Sequence, residues 1–332
     1  MGMKRILVLV DERLESVIGV ERAASVASRT GAELIVLSVL EPIRGELDAW
    51  PVNEDRDEMA RELARAEVEW QSIRLRDALA GRPARVVARW GKPCAAAVRL
   101  AIDESVDLVV KTARGRHGGR RVLFGSTALH LFRKCPCPVW VVSDRPLPPA
   151  PTVLAAIDPA HGPLTTRVLR HAEQLAGWLD AELHVIHVWD APHEASLRRR
   201  YDADRAQAHV DEEEVRARVG LERALGVLSK SPNRVDLVRG DAAEEVPTRG
   251  ADVIVLGSVG QAGIRGLLIG EMAEEILTRV DSSVLQIKPS GFESPLSHPP
   301  PTRGPRVSEA QPVVHRVSRR SVRTQRRGWG SD

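Results

Sequence analysis

The sequence predicts an α/β protein built from two tandem flavodoxin-like (Rossmann-like) domains, each a five-stranded parallel sheet with flanking helices. Three observations lead to this prediction: an internal repeat, short runs of Val, Ile and Leu, and longer amphipathic segments between those runs. The runs are almost continuously apolar, which is typical of parallel strands buried on both faces of a sheet. Their alternation with helical segments favours a doubly wound sheet with right-handed crossovers.

Five strand-like runs in the first half recur in the second half. The matched runs are 6–11 with 153–158, 30–39 with 179–188, 85–91 with 234–240, 108–110 with 253–256, and 139–142 with 284–287. Amphipathic segments between them predict helices at 14–29, 55–80, 126–133, 203–229 and 271–279. The helix that precedes the fourth strand of the second half should be short or broken, because Pro247 lies within an abbreviated connection.

The chain divides into two domains, a linker and a tail. A length of 332 residues suffices for two ordinary domains. We expect a first domain at 1–143, a proline-rich linker at 144–151 and a second domain at 152–289. Residues 290–332 are rich in Pro, Ser and Arg and poor in apolar residues, so we expect a disordered basic tail.

Charge is distributed unevenly between the predicted domains and the tail. Residues from Gly291 onward have a formal net charge of +5, whereas residues 1–290 have a balance of −2. The domains therefore lack the basic balance of a nucleic-acid binder. The tail could contact nucleic acid or acidic lipids through its arginines, or serve only to keep the chain in solution.

Cysteine usage and hydropathy predict a cytoplasmic protein. The three cysteines, Cys94, Cys135 and Cys137, are too few for a disulfide scaffold, which favours a reducing compartment. No run of about 18 apolar residues occurs, so we expect no membrane-spanning segment. The Cys135-Pro136-Cys137 pair has no matching Cys or His pair, so we predict a structural role there and no bound metal.

Catalytic motifs do not occur in this sequence. It contains no Gly-x-Ser-x-Gly elbow, no Walker A lysine and no His-Glu-x-x-His helix. We therefore expect a protein that is not an enzyme.

The main candidate binding site is a glycine spacing that follows the fourth strand of each half. It is Thr112-x2-Gly115-x9-Gly125-Ser126-Thr127 in the first half and Gly257-x2-Gly260-x9-Gly270 in the second. Ligands of open α/β sheets bind beyond the carboxyl ends of the strands, where glycine turns and helix N-termini present N–H groups to anions. The alternative interpretation is that these glycines serve only tight turns between strand and helix.

An aspartate ends the first strand of each half, at the same edge of the sheet. Asp11 and Asp158 could each bind a ribose or the edge of a base. Alternatively, both aspartates cap the turn that follows the strand.

These features together resemble the universal stress protein family. The resemblance is carried by the strand-one aspartate, the glycine spacing after strand four, and a final apolar strand preceded by small residues or proline. Two such domains over about residues 3–289 resemble the tandem E branch of the family. The stretches 132–140 and 257–264 are close to that branch.

The resemblance implies a cytoplasmic, non-enzymatic stress response and ATP or AMP binding in some members, with Mg²⁺ only as a companion of the nucleotide. It also implies that the two domains pair as an intramolecular pseudo-dimer, or that the chain forms a homodimer. By this likeness, the strand-one aspartate and the backbone after strand two contact adenine, and the glycine loop holds the phosphates. The implied binding residues are Asp11, Val39, Gly115, Gly125, Ser126 and Thr127 in the first half, and Asp158, Val188, Gly257, Gly260 and Gly270 in the second.

Departures from the family pattern predict that nucleotide binding falls mainly in the first domain. Glu271 stands in place of the terminal hydroxyl of the second motif, and two like charges about 4 Å apart repel by roughly 4 kcal/mol at an effective dielectric of about 20. Thr112 replaces the first glycine of the first motif, and a β-branched residue resists positive φ. Two alternative functions remain: a slow ATPase or nucleotide sensor, and a module that binds an apolar small molecule in the cleft between the halves.

Overall fold

The computed structural model describes residues 2–13, 16–41, 54–113, 124–200, 203–258, 271–297 and 313–317. The chain forms two units. Unit 1 comprises residues 1–112, 126–142 and 294–332, and unit 2 comprises residues 113–125 and 143–293.

Unit 1 contains a parallel sheet in the order β3-β2-β1-β4-β5. Its elements are β1 (Arg5–Val10), α1 (Ser16–Thr30), β2 (Glu33–Leu40), α2 (Glu54–Arg74), α3 (Arg76–Leu79), β3 (Ala84–Trp90), α4 (Pro93–Asp103), β4 (Leu108–Thr112), α5 (Ser126–Lys134) and β5 (Val139–Val142). The strand order reverses between β1 and β4, which is where ligands of such sheets bind.

Unit 2 repeats this arrangement, with its strands in the order β8-β7-β6-β9-β10. Its elements are β6 (Thr152–Ile157), α6 (Gly162–Leu179), β7 (Glu182–Trp189), α7 (Glu194–Arg200), α8 (Ala203–Leu225), β8 (Arg234–Arg239), α9 (Ala242–Glu245), β9 (Val253–Gly257), α10 (Glu271–Arg279) and β10 (Ser283–Ile287). The predicted pair of tandem α/β domains, each with five parallel strands, is confirmed.

The apolar runs of the sequence form the centre of each sheet. All residues of Ile6–Val10 and Val253–Leu256 are buried, as expected for strands covered on both faces. Helices α1 and α6 supply the small and apolar residues that cover β1, β4, β6 and β9. The edge strand β8 is less covered, and its Val235 is exposed.

The connection between β8 and β9 is shortened, as the sequence predicted. Helix α9 has four residues and is followed by a short 3-10 turn, Pro247–Arg249, whereas α4 at the matching place in unit 1 has eleven residues. Proline cannot donate a backbone hydrogen bond and clashes with the preceding turn, so the helix ends before Pro247. Asp241 caps α9 by accepting the N–H of Ala243 at 2.8 Å.

A strand within the C-terminal region corrects one expectation. Residues Val313–Val317 form β11, which pairs antiparallel with the edge strand β3. The expected disorder of the tail is therefore wrong for these five residues. An edge strand presents a row of N–H and C=O groups, and a valine-rich segment is well suited to pair with it.

Within the described part of the chain, none of the helices has the length and apolar character required to cross a bilayer.

Candidate functional site

The candidate sites lie at the carboxyl ends of β1 and β4 in unit 1 and of β6 and β9 in unit 2. Strand register matches the two sites residue by residue, because Leu9 pairs with Lys111 and Ala156 pairs with Leu256. Position 111 of unit 1 therefore corresponds to position 256 of unit 2, and a charged residue is replaced by an apolar one.

Asp11, directly after β1, is held in ion pairs by cations of its own unit. The Nζ of Lys111 donates to Asp11 Oδ2 at 2.7 Å, and Arg13 donates to the same oxygen through Nε at 3.1 Å and Nη2 at 2.8 Å. Burial alone would raise the pKa of Asp11, but the hydrogen bonds and charges of Arg13 and Lys111 outweigh it and lower the pKa to about 2.

Arg74, at the end of α2, also forms hydrogen bonds with Asp11 and its neighbours. Its Nη1 donates to the carbonyl of Asp11 at 2.7 Å and to Gln71 Oε1 at 3.1 Å, and its Nη2 donates to Ser16 Oγ at 2.7 Å and to the carbonyl of Arg13. The guanidinium lies 5.0 Å from the centroid of the Trp70 ring. The polar groups around Asp11 are thus satisfied by the protein itself.

The other predicted residues of unit 1 lie on the expected elements. Val39 is half-buried on β2, Gly125 directly precedes α5, and Ser126 and Thr127 form the first turn of that helix. The hydrogen bonds described for Asp11 come from Lys111, Arg13, Arg74 and Ser16 and not from this turn. Of the remaining predicted residues in the two glycine motifs, Gly115, Gly260 and Gly270 lie outside the described residues.

Unit 2 contains a cavity of about 650 Å³ where unit 1 has the ion-pair cluster. Three predicted binding residues line it: Asp158 after β6, Val188 on β7 and Gly257 at the end of β9. Most of the remaining wall is apolar and is formed by Ala156, Ile157, Leu164, Val168, Ile186, Trp189, Ala242, Val246, Leu256, Ala273 and Ile276. The sheet thus brings these predicted residues of the second half together around one space.

Two substitutions relative to unit 1 shape this cavity. Leu256 takes the place of Lys111, so no ammonium crosses toward the strand-one aspartate from that position. Gly257 ends β9 in contact with Leu164, and a Cβ at position 257 would lie only 2.8 Å from Leu164 Cδ2. The missing side chain at Gly257 therefore lets α6 approach the strand.

Carboxylates supply most of the charge around the cavity. Asp158 Oδ1 accepts the N–H of Ala160 at 3.0 Å, and its Oδ2 lies 2.9 Å from His161 Nδ1. Asp190 and Asp241 also line the cavity, and the Oδ1 of each accepts a backbone N–H at 2.8 Å. Among the described residues that line this space, none is a lysine or an arginine.

Sequence reasoning identified Asp158 but missed Asp190 and Asp241. A signal for both was present, since three strands of the second half are each followed within two residues by an aspartate. The carboxyl ends of parallel strands meet at one edge of a sheet, so three such aspartates should have been expected at one place.

Comparison with known proteins identifies relatives of both units. The family model described as the universal stress protein family matches residues 2–143 and 150–288. Universal stress protein E of Escherichia coli strain K12 is 24% identical over 307 residues, which cover 88% of this chain and 96% of that protein. A universal stress protein of Mycolicibacterium smegmatis is 26% identical over 298 residues, covering 86% and 97% of the two chains.

Solved structures support the fold. A universal stress protein from Pseudomonas aeruginosa UCBPP-PA14 aligns with a TM-score of 0.59 at 24% identity, covering 86% of this chain and 94% of that one. A universal stress protein from Archaeoglobus fulgidus DSM 4304 aligns with a TM-score of 0.57 at 19% identity, covering 87% and 99% of the two chains.

Proposed function

The chain belongs to the universal stress protein family, and from that premise we propose that it is a non-enzymatic stress-response protein that binds a small molecule in the cavity of unit 2. The observation that carries the proposal is the cavity of about 650 Å³ lined by Asp158, Val188 and Gly257. It lies where the strand order reverses, which is the usual ligand position in such sheets, and its volume is typical of small-molecule sites.

Unit 1 is less suited to the same task, although its glycine motif ends in Ser126 and Thr127. A ligand that used Asp11 would have to displace Lys111 and Arg13, which both donate to its Oδ2. The Asp11 carboxylate is 36% exposed, so solvent screening limits the cost of separating it from Lys111 to about 1 kcal/mol, which still weakens a ligand at that position. We therefore assign the ligand site to unit 2, and we keep ATP and AMP, with and without Mg²⁺, as the first ligands to test.

The polar groups of the cavity support binding without catalysis. Asp158, Asp190 and Asp241 each hold a backbone N–H at the start of a turn or helix, which gives each carboxylate a structural role. We also propose that domain 1 ends at residue 143, that 144–151 are a linker, and that domain 2 spans 152–289. The presence of two family domains in one chain supports the idea that they pair as a pseudo-dimer.

A cavity-filling variant with a matched control tests the location of the site. Val188→Trp should fill the cavity and abolish binding of the neutral fluorescent probe N-phenyl-1-naphthylamine and of any nucleotide found by isothermal titration. Val39→Trp places the same side chain at the matching strand position of unit 1 and should leave binding unchanged. The reverse pattern would place the site in unit 1, and phosphate release from ATP above background would contradict the non-enzymatic role.

A further inference from the structure

We infer that the cavity of unit 2 selects a ligand with an apolar or aromatic body and a positively charged group, such as a protonated amine, over a phosphorylated or otherwise anionic ligand. This inference rests on the proposed function and adds to it the chemical class of the ligand.

The walls of the cavity favour a ligand that is largely apolar. Ile157, Val168, Ile186 and Leu256 line it and lie within the buried core of unit 2, and the Trp189 side chain adds an aromatic surface. Removing apolar surface from water is favourable in proportion to its area, so a hydrocarbon or ring system gains by entering.

The charged groups at the cavity favour a ligand with a positive charge. Asp158, Asp190 and Asp241 follow three different strands and converge on one space. The Oδ1 of each carboxylate accepts a backbone N–H. A cleft lined by one sign of charge with apolar walls focuses the field within it, which attracts a cation and repels a phosphate.

Two basic side chains of the described part of unit 2 lie near these aspartates or the cavity wall. His161 is the basic side chain found beside Asp158, at 2.9 Å from its Oδ2. Arg239 lies 5.7 Å from the centroid of the Trp189 ring, but it forms an ion pair with Glu194. Its guanidinium is thus directed to Glu194, and Arg239 is not among the described residues that line the cavity.

Unit 1 provides an internal example of the expected interaction. There the Lys111 ammonium lies 2.7 Å from the strand-one aspartate Asp11, with its side chain 8% exposed. In unit 2 the aspartate is retained as Asp158, but the lysine position is occupied by Leu256. In unit 1 the cation beside the strand-one aspartate is a lysine of the chain itself. In unit 2 we expect the ligand to supply the cation beside Asp158.

Three probes of the same shape and different charge test the inference on the full-length protein. They are 1-naphthylmethylamine, 1-naphthalenemethanol and 1-naphthoate, measured by fluorescence or isothermal titration at pH 7.5. We expect the amine to bind about tenfold or more tightly than the alcohol, and the carboxylate to bind most weakly. Raising the salt from 50 to 500 mM should reduce the advantage of the amine, because exposed charges are screened.

Charge-removing variants give the matched comparison. Asp190→Asn and Asp241→Asn keep a side-chain oxygen for the backbone N–H, so these hydrogen bonds survive. Each should weaken amine binding about three- to tenfold and leave alcohol binding unchanged. Asp204→Asn, an exposed aspartate at the start of α8 that does not line the cavity, should change neither.

The outcomes separate this inference from the proposed function. Equal binding of the three probes, lost in Val188→Trp, would overturn the preference for a cation and leave the site in unit 2 standing. Binding that survives Val188→Trp, or no binding of any probe, would overturn the site itself and the inference with it.

Discussion

The backbone N–H of Gly19 in α1 donates a hydrogen bond to the side-chain hydroxyl of Thr112, at 3.0 Å from its Oγ1. A Cβ at position 19 would lie 2.6 Å from the same oxygen. In unit 2 the arrangement is reversed. The larger side chain is Leu164 on helix α6, and it packs against Gly257 at the end of β9. Thr112, which stands in place of the first glycine of the motif, therefore makes a packing contact at the end of β4. It lies in regular strand backbone, so this threonine is not held at positive φ.

This contact predicts that Gly19→Ala destabilises the protein. Alanine ordinarily stabilises a helix interior by about 0.8–1.0 kcal/mol relative to glycine. Here the new methyl group would push against the buried Thr112 side chain, and overpacking of this kind typically costs about 1–3 kcal/mol. We expect a net loss of roughly 1 kcal/mol, measured as a lower midpoint in urea unfolding.

Two further variants isolate the steric cause. Gly177→Ala lies in α6, where an added Cβ meets nothing within 4 Å, and should be neutral or slightly stabilising. In a Thr112→Ala background the loss caused by Gly19→Ala should largely disappear. An equal loss in both backgrounds would show that Thr112 is not the obstacle.

The ion pair between Asp11 and Lys111 predicts a stability loss in Asp11→Asn at pH 7. A shift of the Asp11 pKa from 3.8 to about 2 corresponds to roughly 2.4 kcal/mol. Because the carboxylate is 36% exposed, solvent screening reduces the expected effect to about 1 kcal/mol. Adding Lys111→Leu, which copies unit 2, should recover much of the loss, because an ammonium then no longer faces a neutral side chain at position 11.

The pH window of this effect follows from the direction of the shift. The folded pKa of Asp11 is below its ordinary value, so the contribution is complete above about pH 4 and is lost as the pH falls toward about 2. The free energies of unfolding of the parent protein and of Asp11→Asn, measured in urea, should therefore differ at pH 7 and converge as the solution is acidified below pH 4. A difference that does not change with pH would assign the loss to something other than charge.

The strands could be predicted because the apolar runs of a parallel sheet are a local pattern, as in Ile6–Val10. The short α9 was predictable for a similar reason, since Pro247 is a local signal. The ion pair at Asp11 was not, because Lys111 lies in a strand-like run and its partner is 100 positions away in the chain. The pairing of β11 with β3 likewise depends on a contact between segments that are distant in sequence.

Buried histidine predicts a second pH effect, in the neutral range. His187 on β7 is 7% exposed, and its Nδ1 lies 3.1 Å from the carbonyl of Ile157. Burial lowers the pKa of His187 below its usual 6.5, which the hydrogen bond and the charge of Asp158 only partly offset. Since the unfolded chain takes up the proton more readily, the free energy of unfolding should fall as the pH drops below about 6.5.

His187→Asn should reduce this slope between pH 7.5 and 5.5. Burial also lowers the pKa of His171, so part of the slope should remain. His193→Asn is the matched control, because His193 is exposed and has a φ of 70°, which asparagine tolerates. If His187→Asn and His193→Asn show the same slope as the parent protein, the buried imidazole is not the source of the pH dependence.

The antiparallel pairing of β11 with β3 predicts that the C-terminal region protects an edge of unit 1. In the backbone register Val314 pairs with Val87 and Arg316 pairs with Arg85, so β11 covers the backbone of β3 along the strand. Removal of residues 298–332 would expose that backbone to water and to the edges of other molecules. We expect faster amide hydrogen exchange in residues 84–88, and self-association that increases with concentration in analytical ultracentrifugation.

A shorter truncation provides the control for this prediction. Removing only residues 318–332 keeps β11 but deletes five of the arginines of the tail, so it separates strand pairing from the loss of positive charge. This variant should exchange at β3 like the parent protein and should not self-associate. Exchange at β3 that is equally fast in the parent protein and in both truncations would show that β11 gives the edge no protection. Fast exchange in both truncations but not in the parent would instead assign the protection to the last fifteen residues.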